Sequence, residues 1–427
     1  MKSKFFAYLC KQSSENRGKA WEDYSCDALC SRGCFVNETD NLNHQFDISI
    51  MSEIIIKKVN SKKDLKRFIE FNYELYKGNP YAVPDLYLDL ANTLSSKNAA
   101  TEFCDFQPFL ALRDGKVVGR IVGIINRKAN KTWNLSSVRF GWVDFIDDRA
   151  VSKALIEAVE NWGREHGMTV LQGPLGFTDM DPEGLLTEGF DELGTMATAY
   201  HYPYYKEHLE ALGLEKDADW IEMKMNVPKE VPERLVKVAE MVMQRYGVSI
   251  RKFKTAGQLR DAFGQEIFSV INEAFKPLFG YSELSKKQID QYVSLYLNFI
   301  DPKLVSTVVD KDGKLIGVGI TMPSIVEALQ KSKGKLFPLG WYHLLKALKW
   351  KHSDHIEMML IAVLPEWQRK GVNAIFFYDL LPYYINGGYK WVETNVELEH
   401  NDKVQSQWQF FDPRIHKRRR CYKKALN

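Results

Sequence analysis

The sequence predicts an α/β protein made of two halves that follow one plan. Asp-Gly turns between apolar runs occur twice, at Arg113-Asp114-Gly115-Lys116 and at Lys311-Asp312-Gly313, and each marks a β-hairpin. Each hairpin lies downstream of a helical stretch and is followed by another apolar strand and another helix. In the second half that last strand runs from Met358 to Val363 and stops at Pro365. The chain then turns through a basic, glycine-containing loop into a helix over 372–386, with Ile375, Phe376, Leu380, Leu381 and Tyr384 spaced for one buried face. Such a junction aims several backbone N–H groups and the positive end of a helix dipole at one spot, which suits a phosphate or pyrophosphate.

Taken in order, residues 1–50 lack an apolar period and carry Cys10, Cys26, Cys30 and Cys34 without the spacing of a zinc site, so they are expected to be a poorly ordered extension. Met51 is then a candidate start. The first half, 51–232, opens with a strand at Ile54–Val59, a helix from Lys62 to Tyr76 and a helical stretch near Asp85–Ser95. The hairpin strands are Phe109–Leu112 and Val117–Asn126; Arg139–Phe145 is a strand, Arg149–His166 a helix and Val170–Gln172 a short strand. Asp147 and Asp148 stand where a phosphate loop would be, so this half is not expected to hold a pyrophosphate. A long loop rich in Gly, acidic residues and aromatics follows, from Gly173 to Tyr205, the kind of connection that more often carries function than merely joins elements. The second half, 233–427, holds the hairpin at Leu304–Met322, the strand–loop–helix junction, a strand at Lys390–Val396, a helix after Asn401 and the basic run Lys417–Lys424.

At 427 residues the chain is longer than one ordinary domain, and 45% hydrophobic with 26% charged residues is ample for a core. A net charge of +3 gives no global field for nucleic acid, and no apolar run is long enough to cross a bilayer. The expected location is cytoplasmic, with any membrane contact peripheral and on the inner face.

The run Gln368-Arg369-Lys370-Gly371-Val372-Asn373 resembles the acyl-CoA-binding loop of the GCN5-related N-acetyltransferases (GNATs), with Asn373 where that family has a small residue. The strand after the helix, the Asn401-headed helix and the closing Lys-Arg-rich strand extend the resemblance, which spans about Ile54 to Lys424. The segments Gly173–Asp191 and Ala199–Tyr205 resemble a group of bacterial two-lobed acyltransferase-like proteins overlapping the N-acyltransferases of the ceramide-synthase kind. The resemblance implies two GNAT-like lobes, each a mixed, mostly antiparallel twisted sheet flanked by helices, with only the second binding acyl-CoA, acetyl or long-chain. The thioester is then expected along Ile361 and Val363, and the diphosphate on Gln368, Arg369, Lys370, Gly371, Val372, Asn373 and Ala374, with Asn401 nearby. No metal is implied.

Moving an acyl group to an amine requires a group that takes the amine proton and one that protonates the leaving thiolate. The candidates are Glu357, Asp181, Glu188, His201 and Tyr200. Each has a plainer reading: Glu357 as a solvated strand-edge residue, Asp181 and Glu188 as turn or cap residues, and His201 as a packed histidine. The family's tyrosine acid has no counterpart between Asn401 and Phe411. The stretch Trp341–Lys351 reads as an amphipathic helix, with Trp341, Leu344, Leu345 and Leu348 on one side and lysines around the other. It suits a membrane-surface contact, the mouth of a lipid pocket or a helix packed on the sheet, and the lipid-facing readings favour a long-chain acyl donor or a lipid-like amine over another small amine. A non-catalytic acyl-CoA sensor or scaffold is the alternative; nucleic-acid binding through the basic tail is not expected.

Overall fold

The computed structural model describes residues 53–297, 300–350, 352–405, 407–408 and 411–427. The expected extension 1–50 and its four cysteines lie outside the described residues. In the first half the strands are β1 (Ile55–Lys58), β2 (Cys104–Arg113), β3 (Lys116–Asn126), β4 (Ser137–Phe145), β5 (Val170–Gly173), β6 (Leu185–Glu188) and β7 (Glu215–Asn226). In the second they are β8 (Ser249–Ile250), β9 (Val305–Val309), β10 (Leu315–Pro323), β11 (His355–Val363), β12 (Trp391–Thr394), β13 (Glu397–Leu398) and β14 (Arg414–Ala425).

These strands do not form two separate sheets. They join in one 14-stranded sheet of order β1-β2-β3-β4-β5-β14-β7-β12-β11-β10-β9-β8, with β6 on β14 and β13 on β7. Along this order the boundary at 232/233 is crossed three times. β14, last in sequence, lies between β5 and β7, and β7 pairs on its other side with β12. The basic tail is therefore an interior strand rather than a charged edge, and Lys417 and Arg419 are buried.

The common plan is visible in the hydrogen bonding. In the first half β3 and β4 are antiparallel with a bulge beyond Gly141, where Trp142 takes a left-handed φ of 44°. β4 is then parallel to β5 only over Ser137–Arg139. In the second half β10 and β11 are antiparallel with a bulge at Met359, and β11 is parallel to β12 only over His355–Met358. In both halves the parallel pair splays apart after a few residues, leaving one side of β4 and of β11 without a strand partner among the described residues.

Helices cover the sheet because their apolar stripes need burial. Val151, Leu155, Ile156 and Val159 of the helix Arg149–Glu165 are buried in the first-half core. Leu259, Phe263, Ile267 and Ile271 of the helix Ala256–Phe275 do the same in the second. The helix Val372–Asn386 lies close on β10: a Cβ at Gly317 would sit 2.9 Å from the Phe376 ring, so only glycine permits this approach.

Candidate functional site

Leaving β11, the chain makes a 3-10 turn at Pro365–Trp367 and enters the helix at Gly371. Arg369 and Gly371 both have left-handed φ, 64° and 81°, so the loop coils tightly. No side chain caps Gly371, and the backbone N–H groups of Val372 and Asn373 have no acceptor among the described residues. The Arg369 side chain is exposed, while Lys370 lies 4.3 Å from the centre of the Trp367 ring. Val372 and Ala374 are buried and contribute only backbone to this surface. Gln368 is turned inward: its side-chain amide donates to the Val363 carbonyl at 3.1 Å, so it shapes the loop and closes that carbonyl to a ligand. Ile361 is half-buried on the part of β11 that has no partner on the β12 side. Across the splay, Asn395 donates to the carbonyls of Met358 and Met359, and the Asn401 carbonyl accepts from Val404 and Gln405 to open a short helix, Asp402–Gln405.

The corresponding places in the first half are closed. The Tyr204 hydroxyl donates to the Phe145 carbonyl at 2.6 Å, the Phe145 N–H donates to the Tyr205 hydroxyl, and the Leu175 N–H donates to the Phe140 carbonyl. At the helix start Asp148 accepts from the Ala150 N–H and pairs with Arg113, and Asp147 pairs with His208. An anion there would meet two carboxylates.

Glu357 is buried on β11, opposite Glu393 on β12. One carboxylate oxygen accepts from the Met196 N–H at 3.3 Å, and the other has no aligned hydrogen-bond partner among the described residues. Burial pushes this carboxyl up to about 7; the nearby Ser324 hydroxyl opposes the rise and Glu393 adds to it. The loop from Glu192 to Ala199 covers this part of the sheet. Glu192 pairs with Arg414 and Lys224, and Arg419 donates to the Ala199 carbonyl.

Beside Glu357 lies a charge network that the sequence reading missed. Lys417 Nζ bridges Glu222, at 3.1 Å, and Glu393; Arg419 pairs with Glu222 at 2.6 Å, and His416 Nε2 is 3.0 Å from Glu393 without hydrogen-bond alignment. Glu222, Glu393 and His416 offer donor atoms within 4.8 Å of one another, but the Lys417 ammonium already supplies the cation this cluster needs. Burial opposes ionisation, yet the Arg419 guanidinium and the Lys417 ammonium hold the Glu222 carboxyl down at about 2. The charges of β14 run consecutively from His416 to Arg420 and those of β7 do not alternate, so no period in either strand announced the pairing.

The other candidates go elsewhere. His201 is buried and accepts from the Leu186 N–H through Nδ1, and burial lowers it to about 3, which makes it a poor base. Tyr200 donates to the Phe190 carbonyl. Both line a small first-half cavity with Tyr76, Arg120, Trp142 and Asp144. Asp181 accepts from the Thr178 N–H at 3.1 Å, a turn role, with its carboxyl raised by burial to about 7. Glu188 is exposed and pairs with Arg418. None of these four has a hydrogen bond to Glu357 among the described residues. Of the helix expected after Asn401, the described residues show the turn Asp402–Gln405; beyond it buried Trp408 donates to both oxygens of Glu397 at 3.1 Å. Burial raises Glu397 to about 7.

Two halves with the same bulged strand, splayed parallel pair and following helix, fused through an exchanged strand, make the fold of a tandem GNAT protein. The tandem GNAT protein from the clavulanic acid biosynthesis pathway superposes with a TM-score of 0.53 at 12% identity, covering 88% of this chain and 99% of that one. A GCN5-related glucosamine N-acetyltransferase region of a fungal β-N-acetylglucosaminidase gives 0.50 at 11% identity, covering 89% of this chain and 39% of that one. No family model matches the sequence. It is 26% identical over 392 residues to the bacterial ceramide synthase of Caulobacter vibrioides, spanning 88% of this chain and 99% of that protein. It is 27% identical over 325 residues to protein YghO of Escherichia coli K12, spanning 75% and 81%.

Proposed function

We propose that the protein is an N-acyltransferase that moves an acyl group from an acyl-CoA to an amine. The contrast between the halves carries this reading: the helix start at Gly371 and the edge of β11 over residues 360–362 are open among the described residues, whereas their first-half counterparts are sealed by Tyr204, Tyr205 and Asp148. The open junction fits a diphosphate, with the N–H groups of Val372 and Asn373 and the charges of Arg369 and Lys370 to hold it. The thioester supplies an activated acyl carbonyl. Glu357, with its carboxyl raised to about 7, is half ionised near neutral pH and takes the proton from the acceptor nitrogen. Glu397, also raised to about 7, retains a proton to give the leaving thiolate. The likeness to bacterial ceramide synthase supports a long-chain acyl group and a lipid amine as the first substrates to try.

The test is thiol release from CoA esters of graded chain length, mixed with sphingoid bases, amino acids or polyamines. Arg369→Glu/Lys370→Glu is expected to weaken CoA-ester binding about tenfold or more. Binding without release in every mixture would favour an acyl-CoA sensor, the reading that Asn373 and the missing tyrosine between Asn401 and Phe411 support. No binding of any CoA ester would end both readings.

A further inference from the structure

We propose that the outward face of the helix Gly340–Lys349, with the turn before it, docks on an anionic membrane surface. The inward face is accounted for. Gly340 and Leu344 are buried, Trp341, Leu345 and Leu348 are half-buried, and the helix packs beside the helix Val326–Ser332. Of the two placements the sequence left open for this apolar stripe, it takes the one against the protein.

What remains outside is unusual for a soluble surface. Phe337, Leu339, Tyr342 and Trp350 are 42, 63, 41 and 60% exposed, four of the nine exposed large hydrophobic side chains among the described residues, all within fourteen positions. Leu339, Tyr342, Lys346, Lys349 and Trp350 follow helical spacing and share one face. Isolated exposed apolar residues need no explanation, but a cluster of this kind does.

The charge pattern says what covers it. Between Glu327 and Asp354 the sequence has six lysines and no carboxylate. Lys331 and Lys335 are paired with Glu327 and Glu70, whereas Lys346 and Lys349 are in no ion pair among the described residues and flank the aromatics. A protein partner would call for shape and directed hydrogen bonds. Tryptophan, tyrosine and leucine ringed by lysine instead match the headgroup layer of a bilayer, where rings sit at the interface and ammonium groups meet lipid phosphates. Among the described residues no helix is long and apolar enough to cross a membrane, so the contact is peripheral. Its position fits a lipid substrate without requiring one: Gln330 donates to the carbonyls of Pro80 and Ala82, and Ser324, just after β10 and ahead of the helix Val326–Ser332, lies beside Glu357.

The test is co-sedimentation of the full chain with phosphatidylcholine vesicles, with and without phosphatidylglycerol. Binding is expected only to the anionic vesicles, weakening as salt rises. Leu339→Ser/Trp350→Ser and Lys346→Glu/Lys349→Glu are each expected to reduce it about tenfold or more, since each lysine near an anionic surface is worth about a fivefold change. All four positions are half-buried or exposed, and a melting curve checks that the variants fold. Absence of vesicle binding by the folded chain, equal binding to neutral vesicles, or binding unmoved by both variants would overturn the proposal. So would self-association that the same variants abolish without any vesicle binding. The outcome does not depend on whether acyl transfer is found.

Discussion

Glu357 makes a prediction that needs no substrate. Its carboxyl keeps a proton up to about pH 7 in the folded chain, whereas an unfolded glutamate gives it up near 4.5. Between those values the folded state binds the extra proton, so stability falls as pH rises through the window and stays reduced above it. Glu357→Gln copies the protonated form. It is expected to stabilise the protein by on the order of 3 kcal/mol at pH 8 and hardly at all at pH 4, measured by urea unfolding at both. If Glu357 is also the base, the variant flattens a rising limb in kcat/KM centred near pH 7 and leaves acyl-CoA binding unchanged; a retained limb would move the base elsewhere. His201 offers no comparable prediction for catalysis, since burial keeps it neutral over the working range. The sequence put both residues forward, but only the fold separates a carboxylate with an orphaned oxygen from an imidazole already spent on the Leu186 amide.

Elements were legible where their periods were local. The helix Val372–Asn386 keeps the bounds read from its apolar spacing and from Pro365 ahead of it, because both signals lie inside the segment. β7 had no such signal. Its sequence, EKDADWIEMKMN, looks like a solvated stretch, yet it is central because β14, nearly two hundred residues later, supplies the cations that pair with Asp219 and Glu222. The amphipathic helix near 341 was legible as an element, but the sequence left its facing open between lipid and protein, because it does not say which helix will cover a stripe. The phosphate-type junction gives the prediction at this scale. At Gly371 a Cβ would lie 2.9 Å from Val242 Cγ2, and φ is 81°. Gly371→Ala should therefore cost about 1–2 kcal/mol and turn the first N–H groups of the helix away from their common point. Calorimetry should show CoA-ester uptake weakened about tenfold or more, with the fold retained; undiminished uptake would detach the ligand from this helix start.

At the scale of the whole molecule the two halves are held by exchange rather than by a flat interface. β14 gives its hydrogen bonds to β5, β6 and β7 at once, and Lys417 and Arg419 carry the only ammonium and guanidinium groups bonded to the buried Glu222 among the described residues. Replacing Lys417 by Met leaves Glu393 without its ammonium partner and Glu222 with one cation rather than two, a change that typically costs about 3–5 kcal/mol when a buried pair is broken. Glu222→Gln/Lys417→Met, which removes a charge of each sign, should cost less than the sum of the single changes. Cutting the chain ahead of Arg414 is a harsher test. It would bare the edges of β5 and β7 in mid-sheet, each a row of unpaired N–H and C=O groups, and leave Glu222 with no counter-charge. A truncated chain is expected to aggregate or to melt far below the parent, and addition of a peptide spanning 414–427 should restore part of the lost stability. A truncated chain that stays monomeric with parental melting would mean that each half closes its own sheet, and the common seam through Glu357, Glu393 and Lys417 would then have no structural basis.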